Sequence, residues 1–235
     1  MCTVIFIPGN DKYCFASLRD ESPLRTVALH PIIRSIKKLK YLAPTDPKGN
    51  GTWIGVNNLG NVIVLLNGGF HKHVRKESYK ISRGLIVDEL LSSEMPVLDW
   101  SLINLNDVEP FTLIVWDNNN LFQLVWDGQH RFKNHIDEKL AHIWSSSTLY
   151  NATAKANREI HFQKWIDLKI VVSMDSLLSF FKSFPDIENG FIINRNEHVK
   201  TLSYTFIELT KHVKAELNYF DMEQLKCTKS TINLI

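Results

Sequence analysis

Cysteine stands at position 2, directly after the first methionine, and no other residue of the chain is placed so well for chemistry. A methionine followed by a small residue is normally removed, which would leave Cys2 with a free α-amine. Such an amine titrates at about 7.7 to 8.0 and a thiol at about 8.5, so near neutral pH the amine can accept the thiol proton. One residue then supplies nucleophile and base. The competing reading is a small hydrophobe at the start of a buried strand. Cys14 and Cys227 complete an odd number of cysteines with no C-x-x-C spacing, which suggests neither a disulfide framework nor a structural zinc site.

Two further sites could assist such a nucleophile. Arg19-Asp20 stands at the end of a segment predicted to pair with the one that starts at Cys2, so a hairpin would bring the two together. There a carboxylate could hold an α-ammonium or a thiol, and a guanidinium could fix the carboxylate; an ordinary turn salt bridge is the alternative. Asn67-Gly68-Gly69 ends another apolar run. The Asn67 amide could donate to an oxyanion, with glycines letting a substrate approach the backbone. A hairpin turn with a bulge accounts for the same residues.

The elements that must position these residues are mostly hairpins. Residues 3–7 and 13–18 are β-branched or aromatic and flank Pro8-Gly9-Asn10; residues 52–56 and 62–66 flank Asn57 to Asn61. Residues 111–116 and 121–126, and then 201–209 and 213–220, read as two more antiparallel pairs. Ile81, Leu85, Ile86 and Leu90 lie at helical spacing, and helices are also predicted over 154–168 and over 176–184, the last capped by Asp175. Hairpins interrupted by a few helices indicate one α+β domain over residues 1–235. Trp116-Asp117 and Trp126-Asp127 end adjacent strands of one hairpin and mark no propeller repeat.

Composition narrows the class. The chain is 44% hydrophobic and 22% charged, and no run of apolar residues is long enough to predict a membrane span. A net charge of +2 provides no global field for nucleic acid or anionic lipid. The basic run Arg34 to Lys40 reads as the solvated face of a helix, and His71-Lys72-His73 as an exposed loop rather than a metal site. No cofactor is predicted. The N-terminal stretch lacks the basic start of a secretory signal, so a cytoplasmic location is expected.

Taken together, these motifs resemble the NRDE family, relatives of the transport and Golgi organisation protein 2. The resemblance is carried by Met1-Cys2-Thr3, Arg19-Asp20-Glu21, Gly51-Thr52-Trp53-Ile54-Gly55-Val56, Leu65-Leu66-Asn67-Gly68 and Ser82-Arg83-Gly84, with weaker matches at residues 143–149 and 199–203. It implies a four-layer αββα sandwich of antiparallel sheets, of the N-terminal-nucleophile hydrolase type. It also implies hydrolysis or transfer of an acyl group from an amide or thioester through an acyl-cysteine. Carried onto this sequence, Cys2 is nucleophile and base, Asp20 orients its amine, Arg19 supports Asp20 and the substrate side, and Asn67 donates to the oxyanion.

Three positions depart from the family pattern. Leu18 replaces the first residue of its namesake tetrapeptide, Ser146 stands where related amidases have a second asparagine, and Lys200 aligns with a late arginine for which Arg195 is a nearby substitute. Removing one oxyanion donor typically costs on the order of a hundred- to a thousandfold in rate. Lysine keeps the charge of arginine without its bidentate fork. The expected partner is a small acyl amide or thioester. The alternative is a non-catalytic carrier or trafficking protein on the same fold, binding an acyl lipid, acyl-CoA or haem. No oligomeric state is predicted.

Overall fold

Alternating apolar residues need one face against a core, and the strands form where that alternation or a continuous apolar run is densest. A computed structural model of the chain describes residues 3–36, 38–196 and 198–235. In order, the first half comprises β1 (Thr3–Pro8), β2 (Lys12–Glu21), β3 (Leu29–Ile36), β4 (Leu39–Thr45), β5 (Ile54–Asn57), β6 (Val62–Asn67), α1 (Arg83–Leu91) and α2 (Pro96–Asp99). Then follow β7 (Phe111–Asp117), β8 (Asn120–Trp126), β9 (Arg131–Ile136), β10 (His142–Ser145), α3 (Ala152–Asp167) and α4 (Met174–Lys182). The last elements are β11 (Asn194–Arg195), β12 (Val199–Thr210), β13 (Lys214–Asp221) and β14 (Lys226–Asn233).

These strands make two antiparallel sheets. One runs β10-β1-β2-β12-β13-β14 with β11 beside β12, and the other runs β3 through β9 in sequence order. Strand period then builds the layers. Val4, Phe6 and Phe15 turn from the first sheet toward Ile54, Val64 and Trp116 of the second, forming the central core. Their neighbours Ile5, Ile7, Ala16 and Leu18 turn the other way and pack on Phe162 and Trp165 of α3 and on Leu177 and Phe180 of α4. On the far side of the second sheet, α1 buries Ile86, Val87, Leu90 and Leu91. The order is helix, sheet, sheet, helix: the four-layer αββα sandwich.

Several elements differ from the sequence reading. The basic run after Arg34 is not helical: β3 and β4 pair from Ile36↔Leu39 to Leu29↔Thr45, and Lys37 lies outside the described residues. Ile32, Ile33 and Ile36 stand exposed on this edge strand, so their spacing carried no information about a buried face. α4 is capped by Ser173, whose side chain accepts from the Ser176 amide in a reciprocal capping box, and Asp175 falls in the first turn instead. Pro96, which follows α1, opens α2 at a position where its missing N–H costs nothing. Cys14 is buried among outward-facing residues of β2, and burial pushes its thiol up to about 12, so it is unreactive at neutral pH.

One contact fixes α1 against the start of β5. The Thr52 amide donates to the Gly84 carbonyl at 3.2 Å. A Cβ on Gly51 would stand 2.6 Å from both the Gly84 carbonyl oxygen and the Leu85 nitrogen. Backbone offers no way to yield, so Gly51→Ala is expected to lower stability by about 1 to 3 kcal/mol. Urea unfolding monitored by tryptophan fluorescence checks this; an unchanged midpoint would show that the Gly51–Gly84 contact does not constrain the fold.

Candidate functional site

Cys2 lies outside the described residues, and the site is built from what surrounds the strand it leads into. Thr3, the next residue, opens β1 opposite Leu18 of β2 and Ser145 of β10. Arg19 and Asp20 follow Leu18, so both stand at the same end of the sheet as Thr3.

Successive strand residues face opposite sides, and Arg19 and Asp20 do so here. Asp20 is 2% exposed. Its Oδ1 accepts from Thr201 Oγ1 at 2.6 Å and its Oδ2 from the Tyr150 hydroxyl at 3.0 Å. Thr201 is opposite Asp20 in register, and an irregularity between Thr201 and Ser203 then re-aims β12 beside Arg19. Arg19 points between the sheets, its guanidinium 4.9 Å from the Trp53 ring centroid and 3.4 Å from Asp46 Oδ1. The expected support of Asp20 by Arg19 is therefore replaced: Thr201 and Tyr150 hold Asp20, and Arg19 pairs with Asp46.

Tyr150 is itself held by arginine. Arg158 lies 4.1 Å and Arg195 5.2 Å from its ring centroid. Arg158 of α3 is wholly buried. Its Nε donates to Ser145 Oγ at 2.9 Å and its Nη1 to the Asn189 carbonyl at 3.2 Å, with short bonds to the Gly190 carbonyl and to Thr3 Oγ1. Sequence reasoning passed over Arg158, although a signal existed: it occupies the same helical stripe as Ala154, Phe162 and Trp165, where an arginine is out of place unless fully bonded.

Across the site, Asn67 ends β6 opposite Phe111. No hydrogen bond engages its side-chain amide among the described residues, and it lines adjoining cavities of about 480, 190 and 70 Å³. Ser146 does not offer a second free donor. Its hydroxyl donates to the Asn67 carbonyl at 2.8 Å and is also bonded to Thr148, so it brackets Asn67 in place. Gly68 has φ +86°, and a Cβ there would collide with Ser147 Oγ. The glycines at 51 and 68 thus serve internal packing and turn geometry. Lys200 pairs with Glu21 and Asn194 across neighbouring strands and lines none of the Asn67 cavities. Arg195 donates to the Glu188 and Leu149 carbonyls, which places it behind Tyr150. His73 faces Glu109 at 3.3 Å, and no cluster of metal-ligating residues occurs among the described residues.

Electrostatically, Asp46 is the best-defined group. Burial, the largest single influence, pushes its carboxyl upward; Arg25 by bond and charge, Arg19 by charge and the Gly49 amide together hold it below the ordinary value of 3.8. A carboxyl lowered on folding stabilises the fold above its unfolded value, and that contribution is lost as pH falls through its folded value. The cluster should thus survive mild acid and fail below the ordinary carboxylate range. Asp46→Asn is expected to lower stability at pH 7 by about 2 kcal/mol, less than a fully buried pair because Arg25 keeps some solvent. It should also flatten the acid limb of stability below the ordinary carboxylate value of 3.8, measured by urea titration; an acid limb as steep as in the native protein would contradict the assignment.

Three solved structures share this fold at low identity. A penicillin V acylase from Agrobacterium tumefaciens has a TM-score of 0.53 at 12% identity, covering 95% of this chain and 87% of its own. The N-acylethanolamine-hydrolyzing acid amidase ortholog of Caenorhabditis elegans gives 0.59 at 12%, covering 88% and 92%. A mutant conjugated bile acid hydrolase from Clostridium perfringens gives 0.60 at 8%, covering 98% and 96%. No curated protein sequence matches significantly. These neighbours share the N-terminal-nucleophile hydrolase fold, and the family model for transport and Golgi organisation 2 matches residues 1–219: the chain belongs to that family.

Proposed function

We propose that this protein is an N-terminal cysteine amidase or acyltransferase whose nucleophile is Cys2 after loss of Met1. The observation that carries the reading is Asp20: a carboxylate 2% exposed, fixed by two hydroxyl donors, at the strand end beside the start of β1. A carboxylate held in that position suits a fixed ammonium better than solvent. In the proposed cycle the α-amine of Cys2 takes the thiol proton and the thiolate attacks the acyl carbon. Asn67 donates to the resulting oxyanion. Collapse breaks the C–N or C–S bond, and the α-ammonium returns its proton to the leaving group. Water, deprotonated by the amine, then releases the acid from the acyl-cysteine and restores the thiol; an amine in place of water gives transfer. Asp20 and, behind it, Tyr150 and Thr201 orient the ammonium. Ser146 acts at one remove by bracketing Asn67, and with one uncommitted amide donor the oxyanion site is sparer than one built on two asparagines.

One observation favours a carrier reading instead. A cavity of about 750 Å³ lies between α2 and β7 to β9, with Met95, Leu98, Phe122 and Phe132 in its walls and none of the candidate catalytic residues. It has the size and mixed lining of a site for an amphipathic molecule, and a carrier would use it regardless of Cys2.

A screen of chromogenic acyl amides and thioesters with intact-mass detection of an acyl adduct distinguishes the two. The amidase reading expects an adduct on Cys2, no turnover in Cys2→Ala, and a loss in kcat of about a hundred- to a thousandfold in Asn67→Ala. Full activity in Cys2→Ala, or ligand capture with no adduct on any substrate class, would reject it for the carrier.

A further inference from the structure

The cleft of about 480 Å³ that begins at Asn67 has a lining unlike that of an acyl-chain pocket. Among its described walls Ile81 is the one aliphatic side chain. Arg25, Lys48, Lys72, Arg75 and Arg83 face it, against the carboxylates of Glu21, Glu77 and Glu109.

The ion pairs do not cancel this charge. Glu109 is shared between Arg83 at 3.1 Å and Arg75 at 3.7 Å, and Asp46, which lines the adjoining cavity of about 70 Å³, between Arg25 and Arg19. Among the described residues each cluster therefore holds one more cation than carboxylate. Lys48 and Lys72 make no ion pair among the described residues, which leaves the cleft cationic even after Glu21 and Glu77 are counted. The carboxylates report the same field. Burial, the largest influence on Glu21, works to raise it, yet the Ser22 amide and the charges of Arg25 and Arg19 contribute to holding it below its ordinary value. Half-buried Asp46 behaves alike. The first turn of α1 also lines the cleft and carries no acidic residue, which adds to the potential.

We propose that this cleft recognises an anionic group, a carboxylate or a phosphate, on the molecule whose acyl bond reaches Asn67. This rests on the amidase reading for its placement and adds the substrate class: a polar, negatively charged amide or thioester, with Lys48 and Lys72 as the mobile contacts. A purely aliphatic acyl amide would forgo every charge contact in the cleft, so the anionic substrate is preferred.

The test separates binding from catalysis. Calorimetric titration of the Cys2→Ala protein would compare matched pairs: N-butanoylaspartate with its uncharged diamide, N-butanoyl-phosphoethanolamine with N-butanoylethanolamine, and glutaryl anilide with its uncharged amide. The pairs distinguish carboxylate from phosphate and the two sides of the scissile bond. At least one charged member is expected to bind about tenfold more tightly than its neutral partner at low salt. That preference should shrink at about 0.5 M salt and disappear in Lys48→Glu/Lys72→Glu, whose exposed positions leave the unfolding midpoint unchanged. Equal binding within every pair, or a preference untouched by the double reversal, would overturn the proposal. Charged members that bind but are never cleaved by the protein with Cys2 intact would uphold the cleft and reject the amidase; equal cleavage of charged and neutral members would do the reverse.

Discussion

The buried guanidinium of Arg158 is the constraint around which the candidate site is arranged. A charge withdrawn from water costs several kcal/mol unless its hydrogens are bonded. Here the bonds run to neutral oxygens: Ser145 of β10, the Asn189 and Gly190 carbonyls, and the Thr3 hydroxyl at the start of β1. The fork is planar and rigid, so satisfying it fixes those partners relative to one another. It also stacks on Tyr150, the residue that donates to Asp20. One side chain thus ties α3, the first strand, the neighbouring edge strand and the carboxylate shelf into a single unit.

The two sheets divide the labour that this unit supports. The first, through β1, β2 and β12, contributes the strand that follows Cys2 and the Asp20 shelf; the second, through β6, contributes Asn67. Alternation within β2 sends Asp20 toward the helical layer and Arg19 toward the space between the sheets, where Asp46 and Trp53 meet it. Adjacent residues in the sequence therefore sit in different electrostatic settings, Asp20 among hydroxyl donors and Arg19 beside a carboxylate and an indole ring.

The hairpins were legible because apolar strand residues and turn residues alternate in short, clear blocks, as in residues 52–66 and 111–126. Strands without a buried face were not. β9 and β14 are largely polar and exposed, and β3 shows isoleucines to solvent, so none presented the pattern that marks burial. Asp20 and Asn67 were visible from their places at the ends of apolar runs, and the family resemblance assigned their roles. Tyr150, Thr201, Asp46 and Arg25 were not, since each matters only through a partner distant in sequence: Tyr150 lies 130 positions from Asp20 and Thr201 lies 181. The Arg19–Asp20 pair shows the limit most clearly. Spacing alone suggested that the two bond each other, whereas strand geometry turns them apart.

The account stands or falls on Cys2 carrying a free α-amine beside Asp20. The most direct measurement is top-down mass spectrometry of protein purified without an N-terminal tag, after brief exposure to limiting iodoacetamide. The account predicts that Met1 is absent and that Cys2 is alkylated well before Cys227 and long before the buried Cys14. Retention of Met1, or labelling of Cys227 ahead of Cys2, would contradict it.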